Sequence, residues 1–185
     1  MEWLATGTLI AQPALRHPEL LAPPVAAALA HLGAAWAERV GVAAIDPALA
    51  DTAEFCARYG VSLEASANCV VIKGKRSSEV RLAACMVLAT SRADVNGVVR
   101  RRLDVRAASF APTDEAVEIS GMEYGGITPI GLPADWPILI DAAVADAGEV
   151  VIGSGIRASK LFLPGACLAE LPHAEVIEGL ARPVS

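Results

Sequence analysis

Val25, Ala28, Leu29 and Leu32 fall at i, i+3, i+4 and i+7, the apolar stripe of a helix that Pro23-Pro24 suits as a start and Gly33 as an end. A short apolar run over 40–45 reads as a strand, closed by Asp46-Pro47. A second helix is predicted from Asp51, with Asp51 and Glu54 spaced as a capping box. Thr52, Phe55, Cys56 and Tyr59 share one of its faces and Gly60 is its stop. Runs over 69–73 and 81–88, joined by a polar turn over 74–78, predict a hairpin. Asp94 is placed to cap a helix reaching Leu103, with Val95, Val98, Val99 and Leu103 inward, though Gly97 weakens it.

Further along, 109–111 predicts a brief strand, and Pro112-Thr113-Asp114-Glu115 opens a helix that Gly121 closes. Strands are expected over 137–140, 149–152 and 160–163, with a helical turn from Asp141 and a last helix from Pro164 to near Pro172. Helices and strands interleave without a repeated βαβ rhythm. The expected class is therefore mixed α/β, a mainly antiparallel mixed sheet with flanking helices. Residues 1–22, with Pro13 and Pro18, read as an N-terminal arm or short helix packed on a domain spanning 23–185.

Composition narrows the picture. The chain has 185 residues, 54% of them hydrophobic and 19% charged, which suits one well-buried domain. Charges or prolines interrupt each apolar run before the roughly 18 residues a bilayer span needs. Glu2 and the lack of a basic start give no secretory signal, so a cytoplasmic location is expected. Cys56, Cys69, Cys85 and Cys167 are scattered without a C-x-x-C pair, and no metal site or redox dithiol is expected. The net charge of −6 argues against wrapping long nucleic acid. The basic clusters 73–76 and 100–106 read as solvated faces or small local contacts.

The most distinctive stretch is Gly125-Gly126-Ile127-Thr128-Pro129-Ile130-Gly131, which neither a helix nor a central strand accommodates. Glycine lets amide groups approach a bound atom, and proline fixes one φ, so such a loop can present N–H groups to a carbonyl or carboxylate oxygen. The same composition also serves as a plain glycine-rich connection.

Together with Gly121-Met122-Glu123-Tyr124 before it, Pro137-Ile138-Leu139-Ile140-Asp141 and Gly153-Ser154-Gly155, this block resembles the YbaK/EbsC family of aminoacyl-tRNA deacylases over about residues 25–172. That family also supplies the editing domain inserted in bacterial prolyl-tRNA synthetases. The resemblance implies a YbaK-like single domain. It implies hydrolysis of the ester joining a wrong small amino acid, such as alanine or cysteine, to tRNA(Pro), without a metal, cofactor or covalent intermediate. The aminoacyl-tRNA acceptor end is the implied substrate and prolyl-tRNA synthetase an implied partner. Gly125, Gly126, Ile127 and Thr128 would form the catalytic loop. Asn68, Pro129, Gly131, Asp141, Gly153, Ser154 and Gly155 would line or approach the aminoacyl pocket.

The family lysine that precedes the first hairpin strand corresponds to Ala67 here, within Ala67-Asn68-Cys69-Val70-Val71. Lys73 lies about 20 Å further along an extended strand and is no substitute. Arg157 and Lys160, beside the Gly153 bend, are the candidates to neutralise a terminal phosphate. Several positions keep a second reading. Asp141 suits an N-cap, Thr128 a structural hydrogen bond, Asn68 a bond to its own backbone, and Gly153-Ser154-Gly155 an ordinary turn. Cys69 in an apolar strand suggests packing and not a nucleophile. A binding protein on the same fold that no longer hydrolyses, and an interaction module using residues 1–22, are the rival functions.

Overall fold

A computed structural model describes residues 2–184 and shows a mixed α/β fold. In chain order its strands are β1 (Gln12–Pro13), β2 (Gly41–Ala44), β3 (Ala67–Arg76), β4 (Glu79–Leu88), β5 (Ser91–Ala93), β6 (Ala107–Phe110), β7 (Ile138–Asp141), β8 (Val150–Gly153), β9 (Ser159–Leu163), β10 (Ala174–Ile177) and β11 (Ala181–Pro183). The helices are α1 (Pro23–Leu32), α2 (Ala34–Ala37), α3 (Thr52–Tyr59), α4 (Arg100–Arg102), α5 (Thr113–Ser120), α6 (Ala142–Ala145) and α7 (Gly165–Leu168). Among the described residues no helix is long and apolar enough to cross a membrane.

The strands form two main sheets and a ribbon. One sheet has the order β1-β2-β9-β8 and is antiparallel throughout. The other, β10-β7-β4-β3-β6, is mixed: β7 runs parallel to both β4 and β10, and the rest is antiparallel. β5 and β11 make a separate two-stranded ribbon. The predicted hairpin is longer than its apolar runs, because pairing continues from Ala67↔Leu88 to Arg76↔Glu79 and only Ser77-Ser78 turn. Its outer ends are polar, so hydropathy does not mark them. β1, β5, β10 and β11 escaped the sequence reading for a related reason: they are short and mostly exposed or half-buried.

The main core takes Val25 and Leu29 from α1, Met86, Ile138 and Ile140 from the mixed sheet, and Ile152, Leu161 and Leu163 from the antiparallel one. Each such side chain contributes about 1.5–3 kcal/mol by leaving water. Residues near the N-terminus belong to these cores. Ala14, Leu21 and Ala22 are buried in the main one, and Trp3 packs beside Phe55 and Phe162 with its indole against Gly41.

Three predicted caps have instructive outcomes. α3 begins after Asp51, but the Asp51 carboxylate makes no capping bond and faces Arg157 instead. Asp94 does cap, accepting from Gly97 N–H at 3.0 Å. It folds so closely over Gly97 that a Cβ there would lie 2.2 Å from its carboxylate. Glycine is thus required where propensity alone marks it as a weakness, and the helix opens with a π turn over Val95–Val99 before α4. Asp141 accepts from Ala143 N–H at 3.0 Å and so starts α6.

Candidate functional site

The first half of β3 is not paired with β6, whose ladder covers only Ile72 to Lys75. There β3 diverges toward the antiparallel sheet, which it meets at the Ser66↔Val151 bridge. The fork leaves a cleft of about 570 Å³. One wall is β3 from Ala67 to Val71, another is Thr52 and Phe55 of α3, and the far side is Gly125 and Ile127 with Gly153 and Lys160.

Gly126 stands behind this wall and closes it. Its N–H donates to Glu123 O at 2.9 Å, and its carbonyl accepts from Gly155 N–H at 2.7 Å. Glu123 N–H in turn donates to Gly155 O at 2.8 Å. The two glycine segments are therefore clasped backbone to backbone. The contact leaves no room for side chains: a Cβ on Gly126 would sit 2.7 Å from the Ile156 backbone, and one on Gly153 2.3 Å from the Gly126 carbonyl. The N–H groups of Gly125 and Ile127 have no acceptor among the described residues, and both residues line the cleft.

Across the cleft, the Thr52 hydroxyl donates to Asn68 Oδ1 at 2.7 Å. That bond fixes the amide and leaves the Asn68 Nδ2 hydrogens with no acceptor among the described residues.

Lys160 reaches the cleft from β9 and is only 8% exposed. Its Nζ donates to Ala50 O at 2.8 Å and lies 5.3 Å from the centre of the Phe55 ring. Burial, and next the nearby Arg157 charge, lower its pKa to about 8. Arg157 is held differently. Its side chain donates to Pro47 O, Asp51 Oδ1 and Tyr124 O at 3.1, 3.3 and 3.2 Å, tying the loop before α3 to the glycine block. A Cβ on Gly125 would come within 2.4 Å of Arg157 Nη1, so this glycine makes room for the clasp.

The predicted site residues thus divide. Asn68, Gly125, Ile127, Gly153 and Lys160 line one cleft, with Gly126 behind it and Arg157 bonded to its rim. The others lie elsewhere. Thr128 is fully buried, and its hydroxyl has no partner among the described residues, so the structural hydrogen bond expected of it is not made there. Pro129 and Gly131 face α1, where a Cβ on Gly131 would meet the Pro24 carbonyl at 2.4 Å. Ser154 is buried against Ser159, with 2.7 Å between hydroxyl oxygens, and Gly155 packs on Ala22 and Val25. Asp141 spends both carboxylate oxygens on backbone, Ala143 N–H and Ala181 N–H.

Cys69 borders the cleft, but burial raises its thiol pKa above the usual range, which disfavours the thiolate a nucleophile needs. Lys73 is paired with Glu115 at 2.6 Å. Sequence reasoning missed Thr52 and Tyr124 as cleft residues. Thr52 read only as part of a helix face, and nothing local in the sequence signals its pairing with Asn68.

The sequence profile of the aminoacyl-tRNA editing domain matches residues 46–171, which is most of the chain. The chain belongs to that family. A crystal structure of a candidate trans-editing enzyme for prolyl tRNA synthetase superposes with a TM-score of 0.71 at 20% identity, covering 85% of this chain and 94% of that one. The crystal structure of the hypothetical protein APE2540 gives 0.64 at 21% identity, over 72% and 85% of the two chains. At these identities the likeness establishes the fold. No curated protein matches the chain significantly.

Proposed function

We propose that the protein is a free-standing deacylase that hydrolyses a wrongly attached small amino acid from tRNA, with tRNA(Pro) as the leading substrate. One observation carries the reading: residues with unpaired donors on two sides of a single cleft, Gly125 and Ile127 with free backbone amides and Asn68 with a free side-chain NH2, line it together with the Lys160 charge. Aminoacyl esters are already activated. Donors fixed around the carbonyl stabilise the oxyanion that forms when water adds, and the ester C–O bond then breaks to give the free amino acid and a ribose hydroxyl. Such a second site is useful because a synthetase pocket rejects a smaller side chain by only about 1–3 kcal/mol per methylene.

In this reading Lys160 supplies the positive charge that the family lysine would bring at Ala67. Both residues line the same cleft, from different strands. Arg157, bonded to Pro47, Asp51 and Tyr124, positions the rim. Acting only on the acceptor end suits a net charge of −6. The editing role places the protein with the translation machinery in the cytoplasm, near prolyl-tRNA synthetase.

The test is deacylation of tRNA(Pro) charged separately with alanine, cysteine, serine and proline, with Gly126→Val as control. Turnover of one mischarged form, sparing the prolyl form and lost in the control, is the expected result. Ala67 gives weight to a second reading, a domain that binds aminoacyl-tRNA without consuming it. Tight binding with no turnover of any of the four would establish that reading instead.

A further inference from the structure

The cleft does not end at Asn68. That residue, Val70 and Phe110 also wall a second groove of about 560 Å³, which Thr90, Ser91 and Arg92 line as well. Phe110 borders a third, smaller depression of about 330 Å³, lined by Lys73 and Lys75 as well. It therefore stands on the ridge where the reaction cleft opens to the surface, and it is 62% exposed. A large apolar ring in water at that point gains nothing for the fold. Its backbone is nevertheless fixed: Phe110 pairs with Ile72 at the end of edge strand β6, the next N–H, of Ala111, donates to Val71 O at 2.8 Å, and Pro112 follows. Arg92 and Lys75 flank the ridge, and neither has an ion-pair partner among the described residues.

We propose that Phe110 is a stacking platform for the unpaired 3′-terminal base of the tRNA, and that the preceding nucleotides follow the groove toward Arg92. The inference rests on the aminoacyl-tRNA reading above and adds the surface that receives the nucleic acid. An ester held in the cleft leaves its nucleoside at the mouth, next to this ring. Single-stranded ends are recognised mainly by stacking on exposed aromatic faces beside a cationic track, and every base has such a face. An acidic protein needs this kind of contact more than most, since its long-range field does not attract RNA.

The experiment measures equilibrium binding of an RNA hairpin with a single-stranded CCA 3′ end, and of the same hairpin lacking the terminal nucleotide. The proteins compared are the wild type, Phe110→Ala, Phe110→Trp and Arg92→Ala, with deacylation followed in parallel. We expect Phe110→Ala to weaken binding of the full hairpin roughly tenfold and raise KM with little change in kcat. Phe110→Trp should bind at least as well as wild type and show fluorescence quenching on the full hairpin alone. Arg92→Ala should flatten the salt dependence. The shortened hairpin should bind all ring variants equally.

Unchanged affinity in a folded Phe110→Ala protein overturns the proposal, even if the wild type deacylates tRNA. So does an effect confined to self-association, which would make the ring a protein contact. If the wild type binds the full hairpin through Phe110 but hydrolyses nothing, the platform stands and the deacylase reading falls.

Discussion

The N–H of Gly155 donates to the carbonyl of Gly126 at 2.7 Å, and with the Glu123 N–H bond to Gly155 O it holds together two segments far apart in sequence. A Cβ on Gly153 would meet the same carbonyl at 2.3 Å. Gly153→Ala should therefore push the clasp open, destabilising the fold by about 1–3 kcal/mol and removing turnover. Gly148→Ala is the control, because nothing lies within 4 Å of the added methyl. Thermal melts and deacylation rates of both variants check this, and equal behaviour of the two would show that the clasp tolerates side chains.

The glycines were legible in the sequence as a shaped loop, but their division of labour was not. Gly125 and Gly131 lie in one block and face opposite ways, one toward Arg157 at the cleft rim and the other into the α1 backbone. A sequence pattern shows that close approach is required and not what approaches. α1, α3 and the β3–β4 hairpin were legible because each carries an apolar period or run with its own turn chemistry. The cleft was legible only in part, because Thr52 meets Asn68 and Lys160 meets Phe55 through the docking of α3 against strands of the two sheets.

Asp141 separates structure from catalysis. Both its oxygens accept backbone N–H groups, at 3.0 Å from Ala143 and 2.7 Å from Ala181. Asp141→Ala should cost about 1–3 kcal/mol by removing the buried carboxylate that both backbone donors use. The protein that remains folded should keep wild-type kcat/KM. Denaturant titration with active-site-normalised kinetics checks both halves, and a lost rate at intact stability would return Asp141 to the site.

The Thr52–Asn68 bond predicts a positioning effect. Thr52→Val keeps the shape of the residue and removes the hydroxyl that orients the Asn68 amide. Stability should change by less than about 1.5 kcal/mol for one hydrogen bond. Deacylation should fall roughly tenfold in kcat, and Thr52→Ser should restore it, since donors misaimed at a developing charge lose much of their effect. Equal kcat for all three proteins would remove Asn68 from the chemistry.

Lys160 carries the pH prediction. Its pKa falls from 10.5 to about 8 in the fold, chiefly through burial. The unfolded chain therefore binds more protons than the native protein between pH 8 and pH 10.5, and this group makes stability rise with pH across that window. Below it both states are protonated, and the fold bears the whole net cost of keeping the buried amine charged, on the order of 3 kcal/mol. Lys160→Met removes the titration from both states. Any advantage in stability that the variant has at pH 7 should therefore shrink steadily as pH rises through the window. Binding responds in the opposite sense: if the Lys160 charge holds an anionic part of the substrate, wild-type KM should rise as pH passes about 8, and the variant should show a high KM at every pH. Stability curves for the two proteins that stay parallel from pH 7 to pH 10 would show that the lysine titrates as though in water.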